Sequence, residues 1–259
     1  MKKQKTLNIN IEQLSIGYKN TTVATNINFE LQPKELCAII GVNGIGKSTL
    51  LRTLANLQAK IKGQISIKEK TLESYTASNF AKETSIVLTE AIATKNLTVM
   101  ELIALGRQPY TNWLGSLKAE DQKYIRESIS SFKLDDLKEK KCHELSDGQL
   151  QRVLIAKAMA QDTSLILLDE PTTHLDLYHK VKILKLLQQL SHDNEKTIIF
   201  TTHEIDLAIQ LCDKILILDG LKNPFGTPTE LIKKGCFNTL FPDKIVHFDT
   251  KTGSFKVNK

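Results

Sequence analysis

Leu36-Cys37-Ala38-Ile39-Ile40-Gly41-Val42-Asn43-Gly44-Ile45-Gly46-Lys47-Ser48-Thr49 is an apolar run followed by a glycine-rich turn that ends in lysine, serine and threonine. The run 36–40 is of buried-strand type, and Leu50, Leu51, Leu54 and Leu57 recur beyond the turn at helical spacing. Strand, loop, helix is the frame that the pattern G-x-x-x-x-G-K-S/T requires. In that frame successive backbone N–H groups turn inward on phosphate oxygens at the start of a helix. Gly41, Gly44 and Gly46 allow positive φ and close approach to a ligand. Lys47 reaches the β- and γ-phosphates and the Ser48 hydroxyl ligates Mg²⁺. The stretch therefore predicts a nucleoside-triphosphate site.

Further along, Leu165-Ile166-Leu167-Leu168-Asp169-Glu170 is a second apolar strand that ends in adjacent carboxylates and runs on into Pro171-Thr172. Ligands of open α/β sheets bind beyond the carboxyl ends of strands. Asp169 is thus placed to hold Mg²⁺, and Glu170 to orient or deprotonate the attacking water. A third strand, Thr197 to Phe200, leads through Thr201-Thr202 to His203. From the mouth of the same sheet His203 could donate to the γ-phosphate. Histidines 143, 174, 179, 192 and 247 lack metal-ligand spacing.

Composition bounds the rest. The 259 residues suffice for one domain with subdomains. An apolar content of 41% is that of an ordinary globular chain, and no run approaches the about 18 residues of a membrane span. The start, Met1-Lys2-Lys3-Gln4-Lys5, is basic without a signal-peptide core. Cys37, Cys142, Cys212 and Cys236 are widely spaced and read as reduced thiols. A net charge of +6 carried by scattered lysines permits contact with an anionic membrane face or nucleic acid and argues for neither, and no nucleic-acid partner is expected.

Leu7, Ile9 and Ile11, then Leu14 and Ile16, then Ile27, Phe29 and Leu31 alternate as half-buried strands, and Ile65 and Ile67 continue the pattern. Leu97 to Leu105 and Glu120 to Phe132 read as helices within a block that differs from its surroundings. Beyond it helices alternate with the strands at 165–168, 197–200 and 215–218. The expected fold is α/β. It has a parallel-sheet core (about 1–88 and 150–259) with an N-terminal antiparallel β subdomain, and an inserted helical subdomain (about 89–149). All of it forms one domain, 1–259.

Leu145-Ser146-Asp147-Gly148-Gln149 is a helix start, with Ser146 as N-cap and Gln149 three residues on as in a capping box. Locally nothing more is needed to account for it. The five letters nevertheless resemble the L-S-G-G-Q signature of the ATP-binding cassette (ABC) ATPases, and the likeness covers nearly the whole chain. In that family the signature closes on the γ-phosphate held by a second subunit's phosphate loop. The resemblance thus implies a homodimer that sandwiches two ATP molecules with Mg²⁺. Ser146, Asp147, Gly148 and Gln149 then form the trans-ATP contact. Gly41, Asn43, Gly44, Gly46, Lys47, Ser48 and Thr49 match the Walker A residues, Ser48 and Asp169 the metal ligands, and Glu170 the catalytic glutamate. His203 matches the switch histidine, and Asp176 in Thr173-His174-Leu175-Asp176 the D-loop. Tyr18, 29 residues before Lys47, matches the aromatic that stacks on adenine.

Leu97-Thr98-Val99-Met100-Glu101-Leu102 and Gly106-Arg107-Gln108-Pro109-Tyr110 are similar to a segment of the importer ATPases for iron–siderophore, haem and cobalamin uptake. That likeness implies transmembrane permease subunits as partners and, through them, an external substrate-binding protein. It also implies a peripheral place on the cytoplasmic face of the membrane. A non-transport relative, such as a soluble iron–sulfur assembly factor, and an ATP-dependent regulatory module are the alternatives. Three positions depart from the family pattern. Asp147 stands where glycine is usual and repels phosphate only if its carboxylate points there. Leu150 replaces a polar residue. In Ile86-Val87-Leu88-Thr89-Glu90 the glutamate occupies the place of the Q-loop glutamine, keeping a metal-capable oxygen while adding charge.

Overall fold

The computed structural model describes residues 7–19, 21–89, 96–241, 245–250 and 252–258. The chain opens with the antiparallel pair β1 (Ile9–Tyr18) and β2 (Thr21–Leu31). The apolar alternations at 9–11 and 14–16 belong to one strand interrupted by a bulge. Register slips between Ile11 and Leu14, Gln13 takes φ +47°, and its N–H is received by the Asn28 side chain at 2.8 Å instead of a ladder carbonyl. Next come β3 (Leu36–Ile40) and α1 (Lys47–Leu54), then β4 (Lys62–Ile67) and β5 (Lys70–Thr71). Strands β2, β1, β4 and β5 form a four-stranded antiparallel sheet in that order.

Helix α1 ends before Leu57, which helical spacing had included. Asn56 adopts φ +56°, Leu57 N–H bonds back to Arg52 O at 2.9 Å, and Asn56 N–H bonds to Thr53 O at 3.1 Å. Those two bonds are a Schellman closure, which satisfies the last carbonyls and turns Leu57 out, 61% exposed.

After the short α2 (Ala77–Phe80) and β6 (Thr84–Val87) come three helices: α3 (Val99–Ala104), α4 (Ala119–Ser131) and α5 (Asp147–Ala160). A 3₁₀ stretch, Leu105–Tyr110, extends α3 through Pro109. Thr98 with Glu101, and Ser146 with Gln149, close full capping boxes. The chain then runs through β7 (Leu165–Leu168), α6 (Leu177–Asp193), β8 (Thr197–Thr201), α7 (Ile205–Leu211), β9 (Lys214–Ile217) and β10 (Phe225–Gly226). It finishes with α8 (Pro228–Lys233) and the hairpin β11 (Val246–Asp249) and β12 (Ser254–Val257).

The central sheet has the order β10-β9-β3-β8-β7-β6, parallel from β9 to β6 with β10 antiparallel at the edge. Its two faces feed two cores. Leu36, Ala38, Ile40, Ile166, Leu168, Ile198 and Phe200 pack toward the helices α3 to α6. The alternate residues Cys37, Ile39, Leu165, Leu167 and Ile199 pack with α1 and the antiparallel sheet. Strands buried on both faces in this way read as continuous apolar runs, the pattern of 36–40 and 165–168.

Candidate functional site

The carboxyl ends of β3, β7 and β8 open side by side, and the chain places its chemistry there. Gly46 N-caps α1 at φ +107°, and Gly44 turns at φ +77°. A Cβ on Gly46 would lie 2.4 Å from Val23 Cγ1, so the turn needs glycine for both its conformation and its space. Gly41 is close to extended. Its requirement is the Leu218 carbonyl, which would stand 2.6 Å from a Cβ. Lys47 is 6% exposed and folds back over the loop, donating to Gly41 O at 3.0 Å and Val42 O at 3.2 Å. Burial pushes its ammonium's pKa down, and the nearby Glu170 and Asp169 pull it partly back.

Asp169 follows β7 and is 4% exposed. Its Oδ1 accepts from Ser48 Oγ at 3.0 Å and Thr201 Oγ1 at 2.6 Å, and its Oδ2 from Thr89 Oγ1 at 2.9 Å. A carboxylate and a serine hydroxyl held 3.0 Å apart beside a phosphate loop are hard oxygen donors of the kind Mg²⁺ takes. Ser48 and Asp169 therefore fit that ion.

Glu170 points to the neighbouring strand end. Its Oε1 is 2.8 Å from His203 Nε2, and its Oε2 accepts from Thr173 Oγ1 at 2.9 Å. The two side chains form a carboxylate–imidazole pair at the sheet mouth, 25% and 41% exposed, where a water and a phosphoryl group have access. On the opposite rim Tyr18 is 57% exposed, and its hydroxyl lies 3.0 Å from Thr49 Oγ1. That bond fixes the ring beside the loop while leaving ring surface open.

The signature residues lie elsewhere. Ser146 caps α5, and exposed Asp147 occupies its first turn. Ser146, Gly148 and Gln149 line a cavity of about 180 Å³ together with Leu175 and His179, and no phosphate-loop residue lines it. Asp176 N-caps α6, accepting from His179 N–H at 2.9 Å and meeting His179 Nδ1 at 2.9 Å. The structure thus joins the signature to the 175–179 stretch of the same chain, and gathers Lys47, Ser48, Asp169, Glu170 and His203 separately at the sheet mouth. Asn43 is exposed on the loop. Glu90, the Q-loop candidate, lies outside the described residues.

Sequence reasoning passed over the three threonines, 89, 173 and 201, that hold the two carboxylates. Thr201 reads as one more β-branched strand former. Only its place, two residues before His203 at a strand end, hinted at more.

A parallel sheet that gathers a glycine-rich loop of phosphate-binding pattern, a serine–aspartate pair of oxygen donors and a carboxylate–histidine pair at its mouth has the arrangement of a P-loop nucleoside triphosphatase. The family model described as ABC transporter matches residues 24–173. The achromobactin transport ATP-binding protein of Dickeya dadantii is 34% identical over 248 residues, covering 92% of each chain. The ferric enterobactin transport ATP-binding protein of Escherichia coli is 33% identical over 222 residues, 85% of this chain and 82% of that one. Among solved structures, a dimeric ATP-binding cassette in a post-hydrolysis state with ADP and Pi superposes with a TM-score of 0.73. It is 26% identical and covers 85% of this chain and 98% of its own. The chain belongs to the ABC transporter family, as an ATP-binding subunit that hydrolyses ATP.

Proposed function

We propose that this chain powers an importer of metal chelates such as iron–siderophore complexes, working as a homodimer on the cytoplasmic face of a membrane permease that an external binding protein feeds. The relatives named for achromobactin and ferric enterobactin transport support the cargo class. The dimeric cassette holding ADP and Pi supports the paired arrangement. No helix among the described residues is long and apolar enough to cross a membrane, which agrees with a peripheral subunit that needs permease partners. In this reading the helical part, about 89–149, carries the signature, and residues 1–88 and 150–259 carry the phosphate loop.

One observation carries the catalytic assignment: the 2.8 Å contact between Glu170 Oε1 and His203 Nε2 beside Lys47, Ser48 and Asp169. ATP stacks its adenine on Tyr18, and its phosphates displace the Lys47 ammonium from the carbonyls of Gly41 and Val42. Glu170 then holds the attacking water through the oxygen that His203 now occupies. His203, released, donates to the γ-phosphate. Ser48 and Asp169 would hold Mg²⁺, which would supply positive charge to offset that of the phosphates. Ser146, Asp147, Gly148 and Gln149 are assigned to the ATP site of the partner copy, a reading supported by the cavity that the signature lines without any residue of this chain's own loop. Asp147 is exposed at that face.

Glu170→Gln keeps the hydrogen-bonding shape and removes the base. The variant should bind ATP with wild-type affinity and accumulate as a nucleotide-loaded dimer in gel filtration. Its phosphate release should fall by at least about a hundredfold. Wild-type turnover in this variant would remove Glu170 from the mechanism.

A further inference from the structure

Glu170 has φ +47°, a left-handed backbone that side chains with a Cβ seldom adopt. Its N–H donates to Thr201 Oγ1 at 2.8 Å, and the same hydroxyl gives its proton to Asp169 Oδ1 at 2.6 Å. A hydroxyl has one proton to give and lone pairs to receive. Here the donor is spent on one carboxylate and an acceptor site on the amide of the next residue, so a change of the Thr201 χ1 rotamer breaks both bonds at once. Thr201 is 0% exposed at the end of β8, paired with Ile39 of β3 while β8 also runs beside β7, and water cannot replace it.

Two consecutive carboxylates with different duties thus take their directions from one side chain on the adjacent strand. Asp169 Oδ1 also receives Ser48, but that hydroxyl is itself a donor atom that would face a metal ion, and Thr89 serves the other oxygen. Thr201 is then the donor left on Oδ1. Its hold on the Glu170 N–H keeps the left-handed turn that points the carboxylate at His203. A valine of the same shape would fill the space and leave both polar groups without that partner.

We propose that Thr201 is a positioning residue for ATP hydrolysis, fixing Asp169 Oδ1 for the metal and the Glu170 backbone for the attacking water. The proposal rests on the assignment of Glu170 above. It predicts a defect in turnover with little defect in nucleotide binding.

The test compares the full chain with Thr201→Val, Thr201→Ser and Glu170→Gln under the same conditions. Phosphate release is read at saturating Mg–ATP, and affinity for a trinitrophenyl-ATP analogue is read with and without Mg²⁺. Thr201→Val should lose about tenfold to a hundredfold in kcat, the range of one lost hydrogen bond to a charged group. Its KM and its metal-free affinity for the analogue should stay within about twofold of wild type, and the Mg²⁺ concentration for half-maximal binding should rise. Thr201→Ser, which restores the hydroxyl, should recover most of the lost kcat. The proposal is overturned if Thr201→Val turns over at the wild-type rate or if Thr201→Ser is equally impaired. It is also overturned if the loss lies in metal-free nucleotide affinity. Should Thr201→Val not fold, Thr201→Ala is read by the same criteria. An active Glu170→Gln would remove the underlying assignment. An inactive Glu170→Gln beside a fully active Thr201→Val would remove the Thr201 role alone.

Discussion

Arg107 tests whether one buried charge organises the helical part of the chain. Its Nε donates to Asp121 Oδ1 at 2.9 Å and its Nη1 to the Ala160 carbonyl at 2.8 Å, tying the extension of α3 to α4 and to the end of α5. The guanidinium lies 3.9 Å from the ring centre of Tyr110 and 4.3 Å from that of Tyr124, and both charged side chains are only 4% exposed. Arg107→Ala deletes the partner of a buried carboxylate, so the loss is that of a broken buried pair, about 3–5 kcal/mol. For a chain of this size that corresponds to a drop in Tm of about 6–20 °C. Urea unfolding at neutral pH measures it, with the slope expected to stay constant as the midpoint falls.

Arg107→Met combined with Asp121→Leu removes both charges and should recover most of the loss, because a matched apolar replacement of a buried pair is often neutral. Acid supplies a second reading. Burial raises the Asp121 carboxyl, but the Lys118 N–H and Arg107 outweigh it and hold the group below its ordinary 3.8. Its stabilising share is therefore complete above that value and disappears as pH falls through the lower folded one, a loss that the double variant should not show. A cost below about 1 kcal/mol for Arg107→Ala would refute the reasoning, since that is the worth of an exposed ion pair. So would a double variant as unstable as the single one.

Gly46→Ala forces a Cβ into φ +107° and to 2.4 Å from Val23. Strain of about 1–3 kcal/mol should appear as a lowered melting temperature together with loss of ATP binding, and normal binding would contradict the geometry. The thiols should divide under a maleimide at neutral pH. Burial raises the pKa of Cys37, Cys142 and Cys212, helped by Glu35 at Cys37 and Glu101 at Cys142, whereas Cys236 is partly exposed. Mass spectrometry of the native protein should find the label at Cys236, with the other three labelled only after unfolding.

Motifs whose spacing dictates backbone geometry were legible before any coordinates. The turn at 41–49 admits one arrangement between a strand and a helix, and the apolar run before Asp169 admits one end of a parallel sheet. The capping box at Ser146 and Gln149 followed from side-chain chemistry alone. Features that depend on contact between distant segments were not legible. Arg107 read as part of a family-like segment, and its burial came from Asp121, Ala160 and two tyrosines that only the packed helices bring together. Helical spacing extends α1 to Leu57, because periodicity carries no sign of the left-handed turn at Asn56. The terminal hairpin leaves no clear pattern in the sequence because its strands are only 4 residues each. Aromatic contacts add to its antiparallel ladder, with Phe237 stacked 4.8 Å from Phe248 and Phe248 edge-on to Phe255 at 5.1 Å.

The alternation of β3, β7 and β8 between two cores bears on how this protein opens. Each of these strands is claimed by the helical side through one set of residues and by the nucleotide side through the other. Loosening either half leaves the backbone pinned by its opposite neighbours, so no partial opening frees these amides. Exchange of their protons with deuterium should therefore proceed only by global unfolding and be the slowest in the molecule, whichever half frays first. Amides of α3 and α4 belong to one core alone and should exchange through smaller, more frequent openings. The ratio of the two rates would measure how far the halves move independently around a sheet that both share.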